Sequence, residues 1–243
     1  MSKNIFFAGM LVISAAMALP ACGRDMQALH VSPDEGDMVK DSPDLVPRGD
    51  GANETGALID SKTQTTTTTT TTTGAVSYRW DDRVGGSAWT QYTREAIDDY
   101  GLNQEKVPSD VTAFCPKFNS LGNEQRKMFW TYLVSSITEL ESGFDPKNSY
   151  HEKFGKKQYS RGLMQMSYES TKGYLCPIHK ESDLFIPELN LNCGVKILDH
   201  WVAKDGLIAG RSGKKWLGGS RYWAVLRFKS AIIRGWTKQL PFC

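Results

Sequence analysis

Residues 123–146 read NEQRKMFWTYLVSSITELESGFDP, an apolar helical run that breaks off in a Gly/Asp/Pro turn. Asn123 is placed as the N-cap and Glu124 in the first turn, and Trp130, Leu133, Ile137 and Leu140 recur at helical spacing. Two carboxylates fall at the far end. Glu141 lies four residues after Ile137 and eight after Leu133, which turns it towards the apolar face. Glu139 turns roughly 160° away from it, at about 100° per residue, and is read as a surface residue. A carboxyl beside Leu, Ile and Trp side chains loses hydration and holds its proton harder, which suits a general acid near neutral pH. A glutamate at a helix end is nevertheless a solvated residue as a rule, so this stretch alone raises the catalytic question without deciding it.

Working outward, residues 87–101 bring Ala88, Tyr92, Ala96 and Ile97 near one face and close on Gly101. Residues 187–206 open with Pro187 at a helix-start position and carry Leu191, Val195, Leu198 and Val202 along one stripe. Shorter helices are predicted around 216–228 and 230–236. Between them and the central run, His151-Glu152-Lys153-Phe154-Gly155-Lys156-Lys157-Gln158 is polar with a central glycine and reads as a small hairpin. The fold class is mainly α, an α+β helical domain with one small β-hairpin. At 243 residues and 40% hydrophobic, the chain can bury one sizeable core.

Upstream of that core lie two appendages. Lys3 and the apolar run 5–19 read as a secretory signal peptide over 1–21. Its end, Leu19-Pro20-Ala21-Cys22, resembles a bacterial lipobox, in which the cysteine is lipidated; Pro20 departs from the small residue usual there, so ordinary cleavage after Ala21 stays open. Residues 22–76, with threonines from Thr65 through Thr73, read as a disordered acidic, Thr-rich tether rather than a glycosylated stalk. Residues 24–76 hold nine acids against four bases, net −5, whereas 77–243 hold 24 Lys and Arg against 18 Asp and Glu, net +6. A basic exported domain suits an acidic membrane surface or a carboxylate-bearing wall, and export removes nucleic acid as a partner. The expected location is the cell envelope, lipid-anchored in the periplasm, or the medium.

With Cys22 set aside, Cys115, Cys176, Cys193 and Cys243 remain for two disulfides, as the export signal favours over buried free thiols. Three connectivities are permitted. Cys176–Cys193 with Cys115–Cys243 is preferred, because the second bridge would pin the C-terminal residue to the core. There is no CxxC, and His30, His151, His179 and His200 are scattered, so no metal site and no cofactor is expected.

A second segment, 159–171, reads YSRGLMQMSYEST. Gly162 lets another chain pass close, and the Gln165 amide can bind a sugar acetamido or hydroxyl group. Alone, the segment is better read as a helix entry with Leu163, Met164 and Met166 in the core. Taken in order, Glu141-Ser142, Gly162-Leu163-Met164-Gln165 and the run from Asp183-Leu184-Phe185 through Pro187 to Asn190 resemble the motif series of glycoside hydrolase family 23. That family comprises the soluble lytic transglycosylases and goose-type lysozymes. The resemblance implies a lysozyme-like catalytic domain over 77–243, with the hairpin beside the active-site cleft. It also implies a peptidoglycan muramidase acting on the β-1,4 bond between N-acetylmuramic acid and N-acetylglucosamine, as a monomer and without cofactor.

Glu141 would be the catalytic acid. Ser142, Ser160, Gly162, Leu163, Met164, Gln165 and Met166 would hold the sugar, and Tyr222 would take the place of the family's tyrosine that leans on the acid. The family's Ala-Tyr-Asn-x-Gly is only partly matched by Ser220-Arg221-Tyr222-Trp223-Ala224, with Trp223 where the asparagine stands. The span from Glu141 to Gly162 is 21 residues, nearer to goose-type lysozymes than to transglycosylases. Both departures lean towards hydrolysis by water over closure of the muramic C6 hydroxyl on C1. A water-activating second carboxylate could come from Asp145 or Glu152, although an Asp just past a helix is usually a turn former. Trp216, Tyr222, Trp223 and Trp236 are candidates for stacking on sugar faces. A non-catalytic wall-binding protein and an assembly lipoprotein are the rival readings.

Overall fold

In the computed structural model, residues 129–138 of the central helix are buried on every side. The described residues are 76–104, 107–152 and 158–243; the signal segment 1–21, Cys22 and the tether up to residue 75 lie outside them. Helix α1 is Gly86–Tyr100 and the central helix α2 is Asn123–Ser142. The one-faced pattern predicted for α2 is exceeded because α1 and two C-terminal helices, α5 (Ala224–Phe228) and α6 (Ser230–Thr237), all pack against it. Its polar residues tolerate this by bonding their own helix: Ser135 and Ser136 donate to the Tyr132 C=O at 2.8 Å each, and Thr131 donates to the Lys127 C=O at 2.8 Å.

Three sequence expectations for the helices change. The N-cap of α2 is Gly122, whose N–H donates to Gln125 Oε1 at 3.4 Å, while Asn123 Oδ1 accepts from Asn103 Nδ2 at 2.7 Å. The buried face of α1 is centred on Trp89, Thr93, Ala96 and Ile97, so Ala88 and Tyr92 sit on its flank. Glu139 is half-buried and paired with Arg79, whose Nη2 donates to Oε1 at 2.9 Å and whose Nε meets Oε2; the guanidinium lies 3.6 Å over the Trp236 ring. An acid facing away from one packing surface met a second one there.

The antiparallel sheet beside α2 has three strands, β1 (Ser149–His151), β2 (Tyr159–Arg161) and β3 (Met166–Ser167), ordered β1-β2-β3. The first two are the predicted hairpin. The third was expected as a helix start; the helix, α3 (Tyr168–Lys172), begins only after Ser167, whose Oγ accepts from the Ser170 N–H at 3.2 Å. Helix α4 (Pro187–Asp205) starts at its proline, ends on left-handed Gly206, and buries Leu191, Val195, Leu198 and Val202 as its periodicity requires.

After α4 the sequence pattern misleads. Where a helix is predicted from Trp216, the chain forms a hairpin of β4 (Ala209–Ser212) and β5 (Lys215–Gly218), and helix resumes only at Ala224. The register pairs Ser212 with Lys215, which leaves Gly213-Lys214 as a two-residue turn with Gly213 at φ +58. A glycine at the first turn position matches the twist of the strands and fixes the hairpin. Two disulfides close the domain with the preferred connectivity, Cys115–Cys243 and Cys176–Cys193. The first holds the C-terminus, as does the Lys117 N–H donating to the Cys243 C=O at 3.2 Å.

Candidate active site

Helix α2 ends at Ser142, and two left-handed residues, Gly143 at φ +62 and Phe144 at φ +68, turn the chain back towards the sheet. Glu141 is thereby fixed on the last turn of a helix anchored throughout the core, and it is 4% exposed. Ser142 does not point its hydroxyl outward: Oγ donates to the Thr138 C=O at 3.1 Å.

The two candidates for a second carboxylate separate cleanly. Asp145 is exposed, and its Oδ1 accepts from the Lys147 N–H at 2.8 Å, the geometry of a turn former. Glu152 is buried at the end of β1, where its N–H donates to the Gln158 C=O at 2.9 Å and its Oε1 accepts from Ser160 Oγ at 2.6 Å. Ser160 is one neighbour that holds this carboxylate.

The 162–165 turn is built by close approach. Gly162 has φ +76, and a Cβ there would lie 2.0 Å from the Leu184 C=O and 2.4 Å from Asn190 Nδ2, so only glycine fits. Fully buried Asn190, on the first turn of α4, accepts from the Met164 N–H at 2.9 Å and donates to the C=O groups of Leu184 (2.8 Å) and Arg161 (3.1 Å). Trp223 Nε1 donates to the Met164 C=O at 3.0 Å. Both main-chain groups of Met164 are therefore used inside the protein. Leu163, Met164 and Met166 are at 0% exposure and form a packed layer beneath the turn.

Gln165, at φ +47, donates from Nε2 to Gly162 (2.8 Å) and Asn148 (3.2 Å) carbonyls. With both amide hydrogens used, Gln165 locks the turn. Asn148 joins the parts. Its C=O also accepts from the Gly162 N–H at 2.9 Å, and its Nδ2 donates to the Ser142 C=O at 3.3 Å, tying the turn to the end of the helix that carries Glu141.

Tyr222 completes the surroundings from the C-terminal side. Its phenol is pushed far above its ordinary range by burial, which outweighs the hydrogen bonds with Ser170 and the Ser167 main chain. It remains a neutral O–H near Glu141 at any ordinary pH. Of the stacking candidates, Trp223 is 1% exposed and in the core, Trp236 lies under Arg79, and Trp216 belongs to the β4–β5 hairpin.

Sequence reasoning missed Asn148 and the latch role of Asn190. Asn190 had a signal, a polar residue beside Leu191 on a buried stripe; Asn148 had none, since it acts largely through its main chain.

The family model for the Transglycosylase SLT domain matches residues 118–208. A search of curated proteins found no match. Among solved structures, wild-type DslA is 40% identical with a TM-score of 0.66, covering 69% of this chain and 98% of that one. Two Glu-to-Gln variants of DslA are each 39% identical, with TM-scores of 0.66 and 0.65. They cover 69% and 68% of this chain and 98% and 97% of their own. On these matches and the motif geometry beneath them, the chain belongs to the SLT transglycosylase domain family of peptidoglycan-cleaving enzymes.

Proposed function

We propose that the protein is a lysozyme-type muramidase, with Glu141 as general acid and Glu152 as the carboxylate that activates water. The observation that carries this reading is the pair of buried carboxylates, Glu141 on α2 and Glu152 at the end of β1, with Ser160 bonded to the second. The spacing of DslA supports it. The two glutamates replaced in its variants are numbered 143 and 154, and 154 − 143 = 11, which equals 152 − 141 here.

In this mechanism Glu141 protonates the glycosidic oxygen between N-acetylmuramic acid and N-acetylglucosamine as the bond to C1 breaks through an oxocarbenium-like state. Glu152 takes a proton from the water that attacks C1, which leaves a reducing end. Tyr222, held neutral, contributes an O–H beside Glu141 without competing for its proton, and the neutral amide ties of Asn148, Gln165 and Asn190 keep the elements in register. Gln165 Oε1 would accept from a substrate N–H or O–H. The substrate places the working domain outside the cytoplasm, in agreement with the two disulfides. We assign residues 1–21 as an export signal, 22–76 as the tether and Cys22 as the lipidation point.

The family's transglycosylase members favour a second reading, in which Glu141 acts first as acid and then as base and the muramic C6 hydroxyl closes on C1. Mass spectrometry of soluble products from acetylated and de-N-acetylated sacculi separates the two. Reducing ends, lost in both Glu141→Gln and Glu152→Gln, are expected. Anhydro ends, with Glu152→Gln still active, would establish the transglycosylase instead, and equal wall clearing by wild type and Glu141→Gln would leave only a binding protein.

A further inference from the structure

From residue 206 to the C-terminus the chain has eight Lys and Arg and no Asp or Glu. Three of these bases are engaged within the fold: Arg221 on Asp205, Arg227 on the Ser220 and Arg221 carbonyls, and Arg234 on the Ala209 C=O. Arg211, Lys214 and Lys215 are exposed on the β4–β5 hairpin. The hairpin register makes Arg211 the cross-strand partner of Trp216, and its guanidinium sits 4.8 Å from that ring. Arg227 lies 5.6 Å from the same ring, and Phe228 meets it edge-on at 5.8 Å between centroids. Phe228 is 55% exposed, and Ile232, four residues on across the α5–α6 junction, is 46% exposed. The carboxylates assigned to catalysis and the 162–165 turn lie on other elements.

We infer that this hairpin and the α5–α6 corner form a docking surface for an anionic lipid bilayer. Two properties must be satisfied by one partner. The cations, with no carboxylate in their own stretch of chain, call for a dense negative surface, and phosphodiester headgroups accept from guanidinium and ammonium groups. An exposed ring such as Phe228 can stack on a sugar face, but aliphatic Ile232 gains nothing from a hydrated acidic polysaccharide, whereas both can enter the boundary between headgroups and acyl chains, with Trp216 at headgroup depth. An acidic glycan would meet the first requirement and leave Ile232 in water. The face would supply the second, reversible membrane signal beside a lipid on Cys22, since a single chain and a basic patch reinforce one another. It would hold the enzyme against a membrane while the site of Glu141 works on the wall.

The test is co-sedimentation of the exported full-length chain, carrying Cys22→Ser so that no lipid there contributes. The probes are vesicles of phosphatidylglycerol in phosphatidylcholine and vesicles of phosphatidylcholine alone. Binding is expected on the anionic vesicles only, weakening as salt rises. Phe228→Ser/Ile232→Ser and Lys214→Glu/Lys215→Glu should each weaken it by about tenfold or more, with sacculus digestion unchanged. The charge pair lies on an exposed turn, so its result stands even if the apolar pair perturbs folding. Equal binding to both vesicle types, or both double variants binding as wild type, would overturn the proposal. Loss of sacculus binding in the variants with vesicle binding intact would also overturn it and assign the face to wall carboxylates.

Discussion

Between the end of α2 and the 162–165 turn, neutral amides do the tying: Asn148, Gln165 and Asn190 among them bind Ser142, Gly162, Met164, Arg161 and Leu184 through main-chain groups. Across the C-terminal elements, charge does it. Asp205 and Arg221, each 8% exposed, form a two-point pair that also receives the Gly218 N–H at 2.7 Å, and Asp110 accepts from the N–H groups of Ile208 and Ala209. The division has a physical logic. A full charge within a few ångströms of a carboxylate moves its proton affinity far more than a neutral amide does. A turn packed next to the reacting acids can therefore be made rigid by amides without fixing which acid keeps its proton, whereas a structural junction elsewhere can use ions.

Replacing the acid itself should give the largest effect. Glu141→Gln is expected to lower the rate of sacculus cleavage by about 10²–10⁴ while thermal unfolding stays where it is, because the substitution preserves shape and removes only the transferable proton. A fall in stability of similar size to the fall in rate would mean that Glu141 serves the fold, and the contrast between the two regions would fail.

Next comes the ionic junction. Asp205→Asn leaves Arg221 buried without its counter-ion, and the expected cost is about 3–5 kcal/mol in denaturant unfolding. Burial alone would raise the Asp205 carboxyl, but the hydrogen bonds from Arg221 and Gly218 and the charges of Arg221 and Lys204 outweigh it and hold it below its ordinary 3.8. A depressed native pKa makes the contribution complete above the unfolded value of about 3.8 and removes it as pH falls through the lower native value. The wild-type chain should therefore lose stability on an acid limb below that pH, and the limb should be shallower in Asp205→Asn. An unchanged limb would show that the pair titrates alike in both states.

The neutral ties should cost somewhat less. Asn190→Ala strands the Met164 N–H and the Leu184 and Arg161 carbonyls in a buried site, for an expected loss of about 2–3 kcal/mol. It should also lower kcat more than it raises KM, since the turn it holds no longer stays in register with α2. A loss of stability with kinetics intact would reduce Asn190 to a core residue.

How much of this was legible depended on whether a residue's role travels with its type. Glu141, Gly162 and the α4 stripe were readable, because an acid at a helix end, a glycine before a close crossing and a 3.6-residue period each leave a local mark. Glu152 could be named but not chosen over Asp145, since burial of one and exposure of the other come from a pairing with Ser160 that the one-dimensional pattern does not encode. The β4–β5 hairpin was misread as helix, because its decisive feature is a single turn glycine amid residues that tolerate either state. Asn148 was invisible, as any residue with a main-chain carbonyl could have filled most of its role.

The smallest predicted effect concerns the other acid of the opening stretch. Glu139 and Glu141 stand two residues apart on one helix, and the fold gives Glu139 to Arg79, which joins the segment before α1 to α2 and stacks on Trp236. Both partners keep about a quarter of their side-chain surface in solvent, 25% for Arg79 and 27% for Glu139, so the pair is screened and Arg79→Ala should cost only about 1 kcal/mol. Its kcat/KM on sacculi should match the wild type, because the helix turns Glu139 to the side opposite the reacting acid. A changed pH–rate profile in Arg79→Ala would mean that the charge released on Glu139 is felt at Glu141, and that the helix sorts its two carboxylates by direction without insulating one from the other.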